Sequence, residues 1–446
     1  MHAWHRPASL LQKLIQFDTS NPPGNELACI TFVEKLLRDA GIDTMLLAKS
    51  PERPNLIARL KGQGSAPPLL LYGHVDVAVT SDQQWQHPPF AGKIVDDFVW
   101  GRGALDMKGG VAMMLTAFLR AKADGLALPG DVILALVCDE EAGSEYGAKF
   151  LVEEHPGLFK DVRYAIGEFG GFTFAIAGKT FYPIQVAEKQ MCWFKATVRG
   201  AGGHGSMPVR GGAMAKLARF LQRLDSHRLP VHITPVAREM ISRVAAKTGG
   251  LSGVLIRLLN NPLLTDRLLD LMGERALLFD SLLHNTVCPT VLKGGERVNV
   301  IPGEISVGLD GRLLPGFRPE IMLSELCRIV GNEVEFELMH YCPGPGQPDM
   351  GLFAELTAIL RDADPDCEPI PLLLSGVTDA RFFSQLGIQT YGFLPMPLPV
   401  GFDFSRTIHA ADERIPVAAL DFGANAIYRL LSRFGNTRHS NKPSRD

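Results

Sequence analysis

Leu69-Leu70-Leu71-Tyr72-Gly73-His74-Val75-Asp76 reads as a buried strand that runs out into a histidine and an acid. The apolar run Leu69–Tyr72 suits a strand covered on both faces. Residues two apart on an extended chain point the same way, so His74 and Asp76 can share one face. The same texture continues on either side. Glu26 to Ala40 is spaced as an amphipathic helix stopped by Gly41, Met107 to Ala123 is helical, and Val132–Cys138 is a second apolar strand. Strands alternating with helices predict an α/β architecture, a mixed sheet flanked by helices. Such sheets bind ligands just beyond their strand ends, and the polar residues of interest fall in those places.

From Met191 the pattern changes. Trp193–Val198 alternates as a half-exposed strand, Gly200–Gly212 is glycine-rich, and Ala213 to Leu224 is helical. Val236 to Met272 predicts further helices broken at Gly249–Gly250 and Pro262, before strand spacing returns at Thr286–Leu292 and Ile305–Leu309. Residues 190–312 therefore predict an inserted α+β domain, and 1–189 with 313–446 a discontinuous domain around it. Strand and helix signals alternate again through Leu352–Arg361, Ile370–Leu374, Ala380–Leu386 and Thr390–Leu394, ending in a helix from Val417 to Phe434. The polar tail beyond Phe434 predicts disorder. A length of 446 residues agrees with two domains, since one hydrophobic core rarely organises so long a chain.

Composition narrows the function. Hydrophobic residues at 46% and charged residues at 21% are ordinary for a globular protein. A net charge of -3 gives no reason to expect nucleic acid or an anionic membrane as partner. No apolar run is as long as a membrane span, and the first residues, MHAWHRPASLLQKLIQF, lack the apolar core of a signal peptide. The seven cysteines are scattered and contain no CxxC pair, which predicts reduced thiols and a cytoplasmic location.

Five segments place acids or histidines where loops should leave strands: His74 with Asp76, Asp106 in WGRGALDMKGG, the run Asp139-Glu140-Glu141, Glu168 in YAIGEFGGF, and His409 in SRTIHAADERI. Each has an ordinary alternative. His74 could be a hydrogen-bonded structural histidine, Asp106 a helix N-cap, and the acidic run a solvated turn. If the acidic run is buried, its three charges need a cation or must be protonated. A metal-binding imidazole needs its second nitrogen held by an acceptor, a task Asp76 could perform unless it orients the site less directly.

Taken in order, GHVD, GRGALDMKGG, the Glu140–Glu141 pair, GE, GGHGSMP, NVIP and HAADERI resemble the aminoacylase/carboxypeptidase family of dizinc peptidases, which includes acetylornithine deacetylase, succinyl-diaminopimelate desuccinylase and carboxypeptidase S-like enzymes. The resemblance runs from about residue 8 to 434. It implies that His74, Asp106 and Glu168 bind one zinc and Asp106, Glu141 and His409 another, with Asp106 bridging. Glu140 is implied as general base, with Asp76 supporting His74. It further implies that the inserted domain is a lid that makes a homodimer contact. His204 in GGHGSMP would stabilise the oxyanion across that dimer, and Asn299, Arg312 and Gly376 would hold a substrate carboxylate. Cobalt or manganese are the possible substitutes for zinc. The charges agree: two Zn²⁺ bring four positive charges, and Asp106, Glu141 and Glu168 cancel three of them. Two histidines and three carboxylates leave open coordination positions, as a catalytic site requires.

The function implied is a zinc-dependent hydrolase that cleaves the amide bond of N-acyl amino acids or small peptides bearing a free carboxylate. A non-catalytic homologue serving as a binding or scaffold protein is the rival reading, and it would have no need of Glu140. A serine esterase is excluded by the lack of a GxSxG elbow. The apolar, proline-rich stretch GFLPMPLPVGFDF (Gly392–Phe404) leads to His409, and suggests either a pocket for a hydrophobic group or a rigid cover for the core.

Overall fold

The computed structural model describes residues 6–273, 277–344 and 346–435. The tail predicted to be disordered lies, beyond Gly435, outside the described residues. The chain divides into two compact units. One comprises residues up to Val186, Pro348–Leu372 and the part from Thr378 on; the other comprises Ala187–Gln347 and Leu373–Val377. No helix among the described residues is long and apolar enough to cross a membrane.

The first unit is built on a nine-stranded mixed sheet among the described residues. Its centre is parallel: Gln389–Gly392, Tyr164–Gly167, Leu69–His74 and Val132–Val137 lie side by side. Pro54–Leu60 and Thr44–Ala48 extend one edge in antiparallel fashion. Leu69–His74 and Val132–Val137 are buried at every position, because helices cover both faces. On one face Leu70, Tyr72, Ile133, Ala135 and Val137 pack with Phe150, Leu151 and Phe383, the Tyr72 and Phe383 rings being 4.7 Å apart. The helix Lys108–Ala123 is buried along nearly all its length. Parallel strands put all their C-terminal ends on one side of the sheet, and there the chain leaves at His74, Cys138 and Glu168.

The second unit carries a four-stranded antiparallel sheet in the order Thr286–Lys293, Glu304–Leu313, Gln190–Arg199, Val334–Cys342. Glu304–Leu313 alternates, burying Ile305, Val307, Leu309 and Leu313. These side chains pack with Leu217 and Phe220 of the helix Ala213–Ser226 and Met322 and Leu326 of the helix Pro319–Val330. The helices Pro235–Thr248 and Gly250–Leu258 meet at Gly249, where the break was expected.

This unit runs beyond the expected boundary at Arg312. Val334–Cys342 pairs with Gln190–Arg199 through the ladder Met191↔Cys342 to Val198↔Val334, and so belongs to the same sheet. Its signal was missed because its outer positions are exposed and half of it alternates weakly.

Candidate metal centre

Seven of the residues singled out in the sequence come together at the strand ends of the first unit. His74 is the last residue of its strand and lies in register with Val137, so the Asp139–Glu141 turn begins beside it. Glu168 follows Gly167 directly. Asp106 and His409 are brought in by a small sheet in which Arg414 pairs with Trp100. The loop between Trp100 and Asp106 turns tightly at Gly103, whose φ of +84° suits a residue without Cβ.

The ligand atoms of His74, Asp106 and Glu168 lie within 4.8 Å of one another, and so do those of Asp106, Glu141 and His409. His74 Nε2 is 3.1 Å from Asp106 Oδ1 and 3.4 Å from Glu168 Oε2. His409 Nε2 is 3.2 Å from both Asp106 Oδ2 and Glu141 Oε1. Asp106 thus turns one oxygen to each group. The helix N-cap alternative for Asp106 fails: Met107 occupies the cap, and no side chain caps that helix. The idea of a solvated acidic turn fails for Asp139, which is buried and paired with Arg53 at 2.9 Å.

The electrostatics suit divalent cations. Burial pushes the Glu168 carboxyl up to about 7 against the pull of His74. Burial and the Glu168 charge push Glu140 well above the usual carboxylate range. Hydrogen bonds to Asp106 and Glu141 raise His409 to about 10. Burial works against a proton on His74, yet the Glu168 charge and the bonds to Asp106 and Asp76 hold it well above its ordinary value. The raised acids reflect burial first and neighbouring acids second, whereas the raised histidines reflect the carboxylates that face them. Glu168 Oε1 is buried and finds no hydrogen-bond partner among the described residues, as expected of an atom meant for a metal. The donor set, imidazole nitrogen and carboxylate oxygen without thiolate, fits zinc, cobalt or manganese.

Asp76 supports the site differently from the simplest expectation. His74 Nδ1 donates to the Asp76 main-chain carbonyl at 2.9 Å, while the nearer carboxylate oxygen is 3.5 Å away. That bond leaves Nε2 free to face Asp106 and Glu168. The Asp76 carboxylate instead accepts from Asn21 Nδ2 and from the backbone N–H groups of Glu140 and Glu141.

Sequence reasoning passed over a second layer. Arg102 and Glu413 form a fully buried ion pair at 2.7 Å. Glu413 accepts the N–H groups of Gly103, Leu105 and Asp106. Arg102 donates to the carbonyls of His409 and Ala410. This pair therefore holds both loops that meet at Asp106. Both residues stand inside the quoted motifs, and an arginine among glycines and apolar residues was a signal for a buried acidic partner.

The other predicted residues belong to the second unit. His204 is exposed on a two-residue strand paired with Val300–Ile301, beside which Gly205 N donates to Asn299 O at 2.8 Å. His204 Nδ1 accepts from Ser206 N, so a neutral imidazole there carries its proton on Nε2. Two nitrogens of Arg312 are engaged by Asp310 at 2.9 and 3.0 Å, while Nη1 is buried and finds no partner among the described residues. Gly376 lies in the short segment Leu373–Val377 of that unit.

An α/β sheet whose strand ends gather histidines and acids into two groups sharing one aspartate is the framework of a peptidase-like hydrolase. The sequence profile of peptidase family M20/M25/M40 matches residues 70–433, and the chain belongs to that family. It is 27% identical over 399 residues to a probable carboxypeptidase S-like 2 of Dictyostelium discoideum, covering 84% of this chain and 74% of the relative. It is 25% identical over 442 residues to aminoacylase-1 of Homo sapiens, covering 96% and 95%. The crystal structure of an M20 family metallo-carboxypeptidase from Sulfolobus solfataricus superposes with a TM-score of 0.67 at 17% identity, covering 96% of this chain and 99% of that one. The chain is accordingly a hydrolase of the peptidase and aminoacylase kind.

Proposed function

We propose that this protein is a two-metal amidohydrolase acting on N-acyl amino acids or small peptides with a free carboxylate. The observation that carries the reading is the division of Asp106 between two ligand groups, with Glu140 adjacent to Glu141. His74, Asp106 and Glu168 hold one zinc, and Asp106, Glu141 and His409 the other, with cobalt or manganese as possible substitutes. When bound, the metals polarise the amide carbonyl and make water more acidic. Glu140 takes the proton from the attacking water and passes it to the leaving amine. Its raised proton affinity suits the first step, since a carboxylate that binds a proton more tightly is the stronger base toward water. Deacylase and carboxypeptidase action attack the same kind of bond, and both fit this machinery.

The second unit acts in this reading as a lid and as the contact of a homodimer. His204 donates from Nε2 to the developing oxyanion, a contact typically worth roughly 10²–10³ in rate. Arg312, Asn299 and the backbone of Gly376 hold the substrate carboxylate. With its other nitrogens on Asp310, Arg312 offers Nη1 for that purpose. The location proposed is cytoplasmic. A scaffold or binding protein would have no use for Glu140 beside a shared-aspartate site. The test is to count bound metal, remove it with a chelator, restore it, and compare Glu140→Gln on N-acetyl amino acids and dipeptides. Activity should vanish on chelation, return with zinc and be lost in the variant. Hydrolysis that survives both chelation and Glu140→Gln would overturn the reading.

A further inference from the structure

The turn that carries Glu140 is held at both ends. Its near end is tied to Asp76, which accepts the N–H groups of Glu140 and Glu141. Its far end is Ser144, whose fully buried hydroxyl donates to Asp379 Oδ1 at 2.6 Å across 235 positions of sequence. Both residues lie within the first unit. Between these ends the backbone bends back on itself. Asp139, Gly143 and Ser144 have φ of +68°, +112° and +67°, and Ser144 N donates to Asp139 O at 2.6 Å. A Cβ at Gly147 would stand 1.8 Å from the Cys138 carbonyl oxygen, so the chain leaves the turn pressed against the strand end it came from. Left-handed φ at two residues with side chains, Asp139 and Ser144, persists only where the surroundings over-determine it.

Asp379 does not serve its own helix. It precedes the short helix Ala380–Phe383 without capping it, and the Thr378 hydroxyl accepts the Ala380 N–H instead. Asp379 Oδ2 is buried and has no hydrogen-bond partner among the described residues, so the bond from Ser144 is the one its carboxyl group makes there. Arg381 Nη2 approaches Ser144 Oγ at 3.4 Å; the hydroxyl accepts on that side and turns its proton to Asp379. A buried carboxyl group with a single bond is costly to a fold, and what this one holds is the exit of the base turn. The two glutamates of that turn are placed differently. Glu141 Oε1 accepts the Ala78 N–H at 3.0 Å, a bond independent of Ser144. The Glu140 carboxylate has no hydrogen-bond partner among the described residues, so the backbone of the turn sets where it stands.

We propose, building on the amidohydrolase reading, that the Ser144–Asp379 bond fixes the exit of this turn, and that Asp379 is thereby a positioning residue for Glu140. It acts on proton transfer, and not on metal or substrate binding. Placement that counts only in the transition state is read in kcat and leaves KM in place.

The zinc-loaded wild type is compared with Ser144→Ala, Asp379→Ala, Asp379→Asn and the double variant Ser144→Ala/Asp379→Ala. Three quantities are measured: kinetics on N-acetyl amino acids and dipeptides, zinc content, and hydrogen–deuterium exchange of the peptide spanning residues 138–149. Ser144→Ala and Asp379→Ala should each lower kcat by about 10–100-fold, the scale of a misplaced reacting group, with KM and zinc content retained. The double variant should fall no lower than the worse single one, because all three lose the same bond. Asp379→Asn keeps an amide that bonds the hydroxyl in either orientation, and should recover most of the loss. Exchange in the peptide should quicken in both alanine variants. Ser144→Ala, the smaller change, carries the test if Asp379→Ala does not fold. An unchanged kcat in Ser144→Ala, multiplied losses in the double variant, or a loss explained by KM or zinc overturns the proposal and leaves the amidohydrolase reading standing. A wild type that hydrolyses none of the compounds overturns that reading instead. Exchange then decides the hold on the turn: quickening supports it, and unchanged protection rules it out.

Discussion

The carboxylate of Asp76 accepts the backbone N–H of Glu140 at 3.1 Å. Its second oxygen does the same for Glu141, also at 3.1 Å. One fully buried acid thus fixes the turn that presents both the proposed base and a proposed metal ligand, while its own main-chain carbonyl holds His74. The turn needs this anchor, because it starts at Asp139 with a φ of +68°.

Removing that anchor should therefore impair chemistry more than folding. Asp76→Ala is expected to lower activity or zinc affinity by about 10–100-fold, the range seen when groups behind metal ligands are lost. Asp76→Asn, which keeps one acceptor oxygen, should fall in between. Steady-state kinetics and chelator competition measure the two effects separately.

Neighbouring glutamates should give opposite signatures. Glu140→Gln is expected to retain metal and lose about 10²–10⁴ in kcat, the usual scale for a general base. Glu141→Ala should lose part of the metal itself, since Glu141 belongs to one ligand group with Asp106 and His409. Elemental analysis of the two purified variants distinguishes them; equal metal content in both would contradict the assignment.

Breaking the Arg102–Glu413 pair should be costly in a specific way. Glu413→Ala leaves a fully buried guanidinium without its carboxylate, and losses of about 3–5 kcal/mol are typical. Arg102→Met combined with Glu413→Leu should recover much of that stability, but not activity, because the N–H groups of Gly103, Leu105 and Asp106 still lack their acceptor. Denaturant unfolding alongside kinetics checks both parts.

Lys189, in the second unit, gives a pH dependence of its own. Burial depresses it to about 7, partly opposed by Asp280, and its Nζ donates to Thr286 Oγ1 at 3.1 Å. An unfolded lysine titrates near ~10.4. Between these values the unfolded chain holds a proton that the folded protein has released, so stability gains from this group as pH rises. Below about 7 the full burial penalty is present. Lys189→Met should therefore stabilise the protein by ~1–4 kcal/mol at pH 7, with the gain shrinking toward pH 10. Unfolding curves at pH 7, 8.5 and 10 test it; a gain that grows with pH would refute the assignment.

Local pattern made several elements readable. Leu69–His74 and Val132–Val137 are unbroken apolar runs, as strands buried on both faces must be. The helix predicted from Glu26 to Ala40 forms over Leu27–Asp39, since its apolar spacing matches the helical period. Val334–Cys342 was not legible, because an edge strand with exposed positions carries little periodic signal and acquires its identity from pairing with Gln190–Arg199.

The sequence by itself determined which side chains were available: His74, Asp106, Glu141, Glu168 and His409 stand in ordered motifs whose joint occurrence identified the family. It also placed them at strand ends, because hydrophobic runs announce where a strand stops. Tertiary structure decided what each group touches. That Asp76 serves the Glu140–Glu141 turn through its carboxylate, that Arg102 and Glu413 frame Asp106 from behind, and that Phe172 stacks on Phe404 all depend on residues 64 to more than 300 positions apart. Hydrogen bonds and ring contacts act over a few ångströms of space, and chain order alone does not encode those distances.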